Sequence, residues 1–372
     1  MSSAVNTLIS RYKFWVLFPY LETDDPNLRY YYDFSQSLAE YTKVFNELQA
    51  DWKWQPVTMN NYKEVVFSIA SSSNGVIPLV VNLCDGDEVN GTPGVSVIHE
   101  LEKYNLIYTG SDAYFYTITT SKIPMKAAFD KANVSTANWG LVNGSEKSYK
   151  ALCKKLGTPV IIKPAVSGGS MGLTVKNVVS NSADMMNRVK ELKAGYHGWN
   201  LLADGLFAEQ FIKGPEFTTF IIGSSNRPED CIIYEPVERI FHKSLPEEQK
   251  ILSFDRLWEI YEDEAPMPEN ENFYEYFLPK QPELIARLKK LTLEAYCAVG
   301  GQGYGRLDIR MDVDTGNLYM LEVNAQCGLS EDVDYTSIGA ILRVSGKTFT
   351  QLVLEVIEEA VARRFHQSNV LS

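Results

Sequence analysis

Four polar residues near the C-terminus, Arg306, Asp308, Glu322 and Asn324, have the types and the spacing to do chemistry together. They lie in Gly305-Arg-Leu-Asp-Ile-Arg310 and Tyr319-Met-Leu-Glu-Val-Asn324. Two runs of alternating apolar and polar residues, Leu307 to Val313 and Leu318 to Val323, flank Asp314-Thr315-Gly316-Asn317, the composition of a β-hairpin. Side chains alternate faces along a strand, so Arg306, Asp308 and Arg310 share one face, and Glu322 and Asn324 share one face of the partner strand. If the two faces coincide, three oxygen-bearing side chains converge beside a guanidinium. Hard oxygen ligands in such a cluster suit Mg²⁺, which keeps several waters and is completed by substrate phosphates rather than by a protein cage. The alternative is a solvated hairpin face with cross-strand ion pairs. Arg306 and Asn324 beside the two carboxylates favour the metal reading.

Three upstream segments bear on the same chemistry. Lys163 closes the apolar, β-branched run Pro159-Val-Ile-Ile-Lys163-Pro164. An ammonium at the end of a buried strand needs an anionic partner, and a phosphate is a natural one. Gly168-Gly169-Ser170-Met171-Gly172 follows, a loop whose glycines let backbone N–H groups turn inward without a Cβ in the way, with Ser170 adding a hydroxyl donor. Alone, this composition is equally that of a hairpin turn, and it matches neither the P-loop nor the Rossmann fingerprint. In Glu209-Gln-Phe-Ile-Lys-Gly-Pro-Glu216, Phe211 and Ile212 can flank an adenine ring and Glu216 can accept from ribose hydroxyls; a core strand capped by a turn reads equally well.

Order and co-occurrence of these segments carry a resemblance. From Tyr108-Thr-Gly-Ser-Asp112 and Lys122 onward the chain resembles ATP-grasp enzymes, in the branch that contains D-alanine–D-alanine ligase. The resemblance implies a fold class of α/β and α+β. An N-terminal parallel α/β domain would span residues 1–121, a small central α+β subdomain with the glycine loop 122–206, and a C-terminal α+β subdomain with an antiparallel sheet and the metal site 207–372. It also implies ATP and Mg²⁺ (or Mn²⁺) as cofactors, with Asp308, Glu322 and Asn324 as metal ligands. Nucleotide contacts are expected from Lys122, Lys163, Gly168, Gly169, Ser170, Gly172, Glu209, Phe211, Ile212, Glu216, Met320 and Leu321. Arg306 and Ser170 become the catalytic candidates. The implied reaction joins a carboxylate to an amine through an acylphosphate. A small-molecule kinase on the same fold, or a nucleotide-binding protein without turnover, stands as the alternative. A homodimer is suggested by the resemblance alone.

Composition fits such an enzyme. At 372 residues the chain exceeds one typical domain, and 45% hydrophobic with 22% charged residues is a globular balance. A formal net charge of −12 argues against nucleic-acid partners, which need a basic footprint. Phe14 to Tyr20 is too short to span a bilayer and reads as a first strand, so no membrane partner and a cytoplasmic location are expected. Five scattered cysteines without a CxxC pair fit reduced thiols. Strands are predicted at Phe14–Phe18, Val57 with Val65–Phe67, Pro78–Leu83 and Leu106–Tyr108, with helices over Tyr31–Leu48 and Val95–Tyr104. Further on, the pattern predicts helices at Met125–Lys131, Glu146–Leu156, Glu283–Val299 and Phe349–Arg364, with strands from Ser135, Val160, Phe207, Phe217 and through Ile232–Phe241. Ile251–Lys280, rich in Glu, Pro and aromatics, reads as a lid.

The substrate half departs from the ligases. Gly169 stands where they place a serine, and Phe18–Asp25 lacks their N-terminal glycine loop, with Glu22 the nearest acid. Asn82-Leu-Cys84-Asp85 lacks their histidine, leaving Asp85 as a substrate candidate. The lid offers Arg256-Leu257-Trp258 in place of a Lys-Tyr pair. After the metal asparagine the chain reads Cys327-Gly328-Leu-Ser-Glu331-Asp332-Val-Asp334 where the ligases receive the second substrate's carboxylate. Arg256, Gly328, Glu331, Asp332 and Asp334 are therefore further substrate candidates. Small-molecule carboxylate and amine substrates other than D-alanine follow as the expectation, with an acceptor of extra positive charge.

Overall fold

The computed structural model describes residues 9–24, 26–72, 75–268, 271–333 and 336–370. The first unit runs β1 (Tyr12–Pro19), α1 (Pro26–Tyr31), α2 (Ser35–Glu47), β2 (Trp52–Val57), α3 (Tyr62–Ser71), β3 (Ile77–Asn82), α4 (Val95–Lys103) and β4 (Ile107–Tyr108). Its strands pair in parallel in the order β2-β1-β3-β4. Both faces of β1 are apolar because helices cover both. Phe14 and Val16 pack with Tyr41, Val44 and Phe45 of α2, while Trp15 and Leu17 pack with Val66 and Ile69 of α3 and Ile98 and Leu101 of α4. The Val65–Phe67 run, expected as strand, is the middle of α3. Val66 and Ile69 are fully buried three residues apart, so burial of one helical face prevails over β-branched propensity.

The second unit holds α5 (Ala113–Thr120), α6 (Lys122–Ala132), β5 (Trp139–Leu141), α7 (Glu146–Leu156), β6 (Val160–Pro164), β7 (Val178–Val179), α8 (Ser182–Ala194) and β8 (Leu206–Gln210). Its sheet is antiparallel, in the order β5-β8-β6-β7. Because β8 hydrogen-bonds to β5 and β6, a division at 206/207 falls inside this strand. Helices α5 and α8 lie beyond the elements expected from the sequence; Asp112 caps the first by accepting from the Phe115 N–H, and Asn181 caps the second. The strand expected from Ser135 begins only at Trp139. Ser135 instead accepts from the Met320 N–H at 2.8 Å, tying this unit to the next.

The third unit comprises β9 (Glu216–Ser224), β10 (Ile232–Ile233), β11 (Val237–Phe241), α9 (Phe254–Trp258), β12 (Tyr274–Phe277), α10 (Pro282–Ala298), β13 (Gln302–Met311), β14 (Leu318–Ala325), α11 (Ser337–Ser345) and α12 (Phe349–Val370). The large antiparallel sheet runs β12-β11-β9-β13-β14, with β10 also on β9. The expected single strand Ile232–Phe241 is two strands, broken at Tyr234-Glu235-Pro236, where proline has no N–H for the ladder. One core is continuous from Phe14 and Tyr41 through Phe220 and Tyr304 to Leu352 and Ile357, joining the first and third units. Among the described residues no helix is long and apolar enough to cross a membrane. All five cysteines are free thiols.

Candidate active site

Strands β13 and β14 form the hairpin expected from the sequence, in a register that opposes Arg306 to Asn324 and Asp308 to Glu322. A bulge between Asp308 and Ile309 moves the pairing on so that Ile309 meets Met320 and leaves Leu321 unopposed. The four polar side chains meet on one face. Arg306 Nη2 lies 3.4 Å from Asp308 Oδ2, and the Asn324 amide nitrogen lies 3.4 Å from both Asp308 Oδ2 and Glu322 Oε1. The fully buried Thr218 of β9 donates its hydroxyl to Asp308 Oδ1 at 2.7 Å. Burial pushes the Asp308 carboxyl up, against the opposing pull of Arg306. Glu322 is raised by burial too, but Lys122, Lys163 and Arg306 outweigh this and hold it at about 2.

The donor set fits a hard divalent cation. Asp308 Oδ2 and Glu322 Oε1 have only long contacts within the cluster, so their lone pairs remain open to a ligand. Among the described residues no three His, Cys, Asp or Glu side chains are grouped to hold a metal. A cation at this face must therefore draw on the Asn324 amide oxygen and on phosphate or water oxygens, the coordination habit of Mg²⁺.

Two lysines converge on the same place from the second unit. Lys122, at the first turn of α6, reaches Glu322 Oε2 at 3.5 Å and donates to the Ser167 carbonyl at 2.8 Å, at the edge of the glycine loop. Lys163, near the end of β6, pairs with Glu209 Oε1 at 2.6 Å. Burial works against the Lys163 ammonium, but Glu209 and Glu322 raise its pKa overall. The glycine loop uses left-handed backbone at Gly169 and Ser170, with φ of 50° and 61°. Gly172 is also left-handed, and a Cβ there would meet Leu201 Cδ1 at 2.7 Å. Gly168 has open space around it.

The lid segment docks on this loop. Ser170 Oγ donates to the Leu252 carbonyl and Trp258 Nε1 to the Gly169 carbonyl, each at 2.9 Å. Asp255, fully buried, gathers the consecutive N–H groups of Glu262, Asp263 and Glu264 at 2.7 to 2.9 Å. Arg256, a candidate substrate cation from sequence, turns into the lid: it donates to the Gln249 and Ile251 carbonyls and pairs with Glu264 at 2.7 Å.

Several nucleotide candidates have partners within the protein. Both oxygens of Glu209 face ammonium groups, Lys163 on one side and Lys126 at 2.7 Å on the other. Burial raises the Glu209 carboxyl, but the two lysines prevail and hold it at about 2. Glu216 pairs with Arg239 and with Arg310 at 3.2 Å. Phe211 and Ile212 are buried, Phe211 beneath the Arg310 guanidinium at 4.9 Å. Met320 is fully buried, and its carbonyl accepts from Lys126 and Thr136.

The substrate candidates separate. Asp85 is exposed after β3, and Gly328 is exposed with nothing near its Cβ position. Glu331 pairs with Lys43 of α2 at 2.9 Å. Asp332 Oδ2 accepts from Gln36 at 3.4 Å, and Glu40 accepts from Ser330 Oγ at 2.6 Å and from the Glu331 N–H at 3.1 Å. Asp334 lies outside the described residues. Residues that the sequence reading missed include Thr218, Lys126, Arg239 and Gln326. Of these only Lys126 carried a local signal, one helical turn after Lys122. Thr218 and Arg239 act between strands of one sheet, and Gln326 acts between units.

The family described as D-ala D-ala ligase C-terminus matches residues 128–358, and the chain belongs to it. It is an ATP-grasp ligase, a class that forms a carbon–nitrogen bond with cleavage of ATP to ADP and Mg²⁺ as metal. Two relatives are the D-alanine–D-alanine ligases of Xanthomonas axonopodis pv. citri, 27% identical over 76% of this chain and 78% of the relative, and of Dechloromonas aromatica, 28% identical over 70% and 74%. In overall fold the chain is similar to the D-alanine–D-alanine ligase of Bacillus anthracis complexed with ATP. The TM-score is 0.65 at 16% identity, covering 95% of this chain and 98% of that one. The VanG D-Ala:D-Ser ligase of Enterococcus faecalis is similar too, with a TM-score of 0.62 at 15% identity over 95% and 99% of the two chains.

Proposed function

We propose that this protein phosphorylates a small carboxylate with ATP and joins it to an amine, on a substrate pair other than two D-alanines. The observation that supports this reading is a contrast within one stretch of chain. Arg306, Asp308, Glu322 and Asn324 share one face of the hairpin, with Lys122 3.5 Å from Glu322 and Lys163 close enough to act on it, whereas the loop immediately after them, Ser330 to Asp332, is bonded to Gln36, Glu40 and Lys43 of α2. The phosphate half keeps the ligase pattern; the amino-acid half is built from different groups.

In this reading Lys122, Lys163 and the glycine-loop N–H groups neutralise and orient the phosphates, which is most of what phosphoryl transfer asks of a protein. Asp308, Glu322 and Asn324 would hold Mg²⁺, which when bound supplies charge neutralisation at the phosphate oxygens. Carboxylate oxygen attacks the γ-phosphorus with departure of ADP, and the amine then displaces phosphate from the acyl carbon. Arg306 faces the oxyanion of that second step, a role worth about 3 kcal/mol of barrier. Docking of the lid through Trp258 and Ser170 keeps water from the acylphosphate. The acidic run Glu331, Asp332 and Asp334 after the hairpin motivates an acceptor carrying a second positive group.

The test is ADP release measured against a panel of amino acids and amines, including diamines and dibasic amino acids. Turnover with a pair that excludes D-alanine is the expected result; activity with D-alanine alone would sink the substrate reading. A small-molecule kinase on this scaffold has no use for Arg306, so Arg306→Ala should abolish amide formation. Full-rate formation of a stable phosphorylated product by that variant would favour the kinase.

A further inference from the structure

Lys126 is the most deeply enclosed charge near the site, with no exposed surface. Its ammonium reaches Glu209 Oε2 at 2.7 Å, Thr136 Oγ1 at 2.7 Å and the Met320 carbonyl at 3.2 Å. The other Glu209 oxygen meets Lys163 at 2.6 Å. One buried carboxylate therefore lies between two lysine amino groups; burial lowers the Lys126 pKa and Glu209 opposes it, and with both lysines protonated the triad carries a net charge of +1. Lys163 keeps 15% side-chain exposure and Lys126 keeps 1%, so the surplus charge can face a ligand only through Lys163.

This arrangement has a consequence for the phosphate site. In a two-member pair, Glu209 would cancel Lys163 and leave a neutral group facing the nucleotide. Lys126 shares the carboxylate and so restores the field of Lys163. Packing alone does not explain a lysine here, because a buried ion pair is seldom more stabilising than an apolar side chain of similar volume. The Met320 contact lies two residues before Glu322 and Lys122 begins the same helix, so Lys126 also fixes the separation between the metal hairpin and the phosphate lysines.

We propose that Lys126 is a positioning residue which, by sharing the Glu209 carboxylate, leaves the Lys163–Glu209 group net positive toward the nucleotide phosphates and holds β14 against α6. Lys126 touches neither substrate nor metal in this scheme.

The experiment is equilibrium titration of ADP and of a non-hydrolysable ATP analogue, followed by calorimetry without turnover, on four proteins: wild type, Lys126→Met, Lys126→Gln and the double variant Lys126→Met/Glu209→Gln. Either single variant should bind nucleotide about tenfold more weakly or worse, because a charge-assisted contact to phosphate is lost. KM for ATP should rise more than kcat falls. The double variant removes the cancelling carboxylate as well, and should bind nucleotide at least about threefold more tightly than Lys126→Met. Glu209 is 1% exposed with both oxygens facing lysines, so its replacement removes no contact open to nucleotide. Should Lys126→Met not fold, Lys126→Gln keeps donors for Thr136 and Met320 while deleting the charge, and the double variant leaves no buried carboxylate short of a partner. Wild-type affinity in the single variants overturns the proposal. So does a double variant that binds as weakly as the singles, the result a purely structural lysine would give. The titration uses nucleotide alone, so its outcome is separate from the identity of the acceptor.

Discussion

Thr218→Val is a sparing way to disturb the hairpin site. It replaces one hydroxyl by a methyl at a position with no exposure and deletes the 2.7 Å bond to Asp308 Oδ1. The remaining contacts of Asp308, to Arg306 and Asn324, are both 3.4 Å and act on the other oxygen, so neither replaces it. A hydrogen bond to a charged group contributes about 1.5–3 kcal/mol, and part of that loss falls on the orientation of Asp308 toward a cation. At roughly 1.4 kcal/mol per factor of ten, the midpoint for Mg²⁺ activation should rise about ten- to a hundredfold, the range found when a partner of a metal ligand is removed. Saturating Mg²⁺ should recover most of kcat. The assay is ADP release against Mg²⁺ concentration, with the unfolding temperature measured in parallel without metal. A lowered unfolding temperature with an unchanged Mg²⁺ midpoint would show that Thr218 supports only the fold and would refute the reasoning.

Other outcomes follow from the same geometry. Trp258→Phe removes the bond to the Gly169 carbonyl and leaves the lid packing, so KM for ATP should rise about two- to tenfold in steady-state kinetics, with no rise counting against lid docking. Gln326, 1% exposed, accepts from the Ser111 N–H at 3.0 Å and donates to the Asn82 carbonyl; Gln326→Ala leaves both groups buried without a partner and should lower stability by about 1–3 kcal/mol in urea unfolding. Glu209 sits at about 2 in the folded protein against an ordinary 4.5, so its ionisation adds stability above pH 4.5 that is lost as pH falls toward 2. That contribution is about 3 kcal/mol, and the pH dependence of unfolding in Glu209→Gln should be flatter by this amount between about pH 5 and 2.

The parts of the molecule legible in the sequence are those set by local periodicity. The hairpin holding Asp308 and Glu322 was readable because the period-2 pattern and the Asp-Thr-Gly-Asn turn both fix the same register, although the bulge at Leu321 left no mark. Helix α7 shows the same agreement, with Glu146 to Leu156 matching at both ends. Where local preference and burial disagree, burial prevails: Val65-Val66-Phe67 reads as strand by composition but turns helical to bury Val66 and Ile69. Arg256 reads as a loop cation open to substrate, yet it pairs with Glu264 eight residues later, a closure no window of sequence reveals. Glu209 and Glu216 were legible as important, while their partners Lys126, Arg239 and Arg310 come from three other strands and helices. Contacts assembled between distant strands and helices depend on topology, and topology is not written in any one segment.

The central claim, that a carboxylate attacks the γ-phosphate of ATP held between the glycine loop and the Asp308–Glu322 hairpin, can be tested by oxygen transfer. The carboxylate that supports turnover is labelled with ¹⁸O, and the inorganic phosphate released with ADP is examined by mass spectrometry. One labelled oxygen in the phosphate is the predicted result. Unlabelled phosphate, or the appearance of AMP and pyrophosphate in place of ADP, would contradict it.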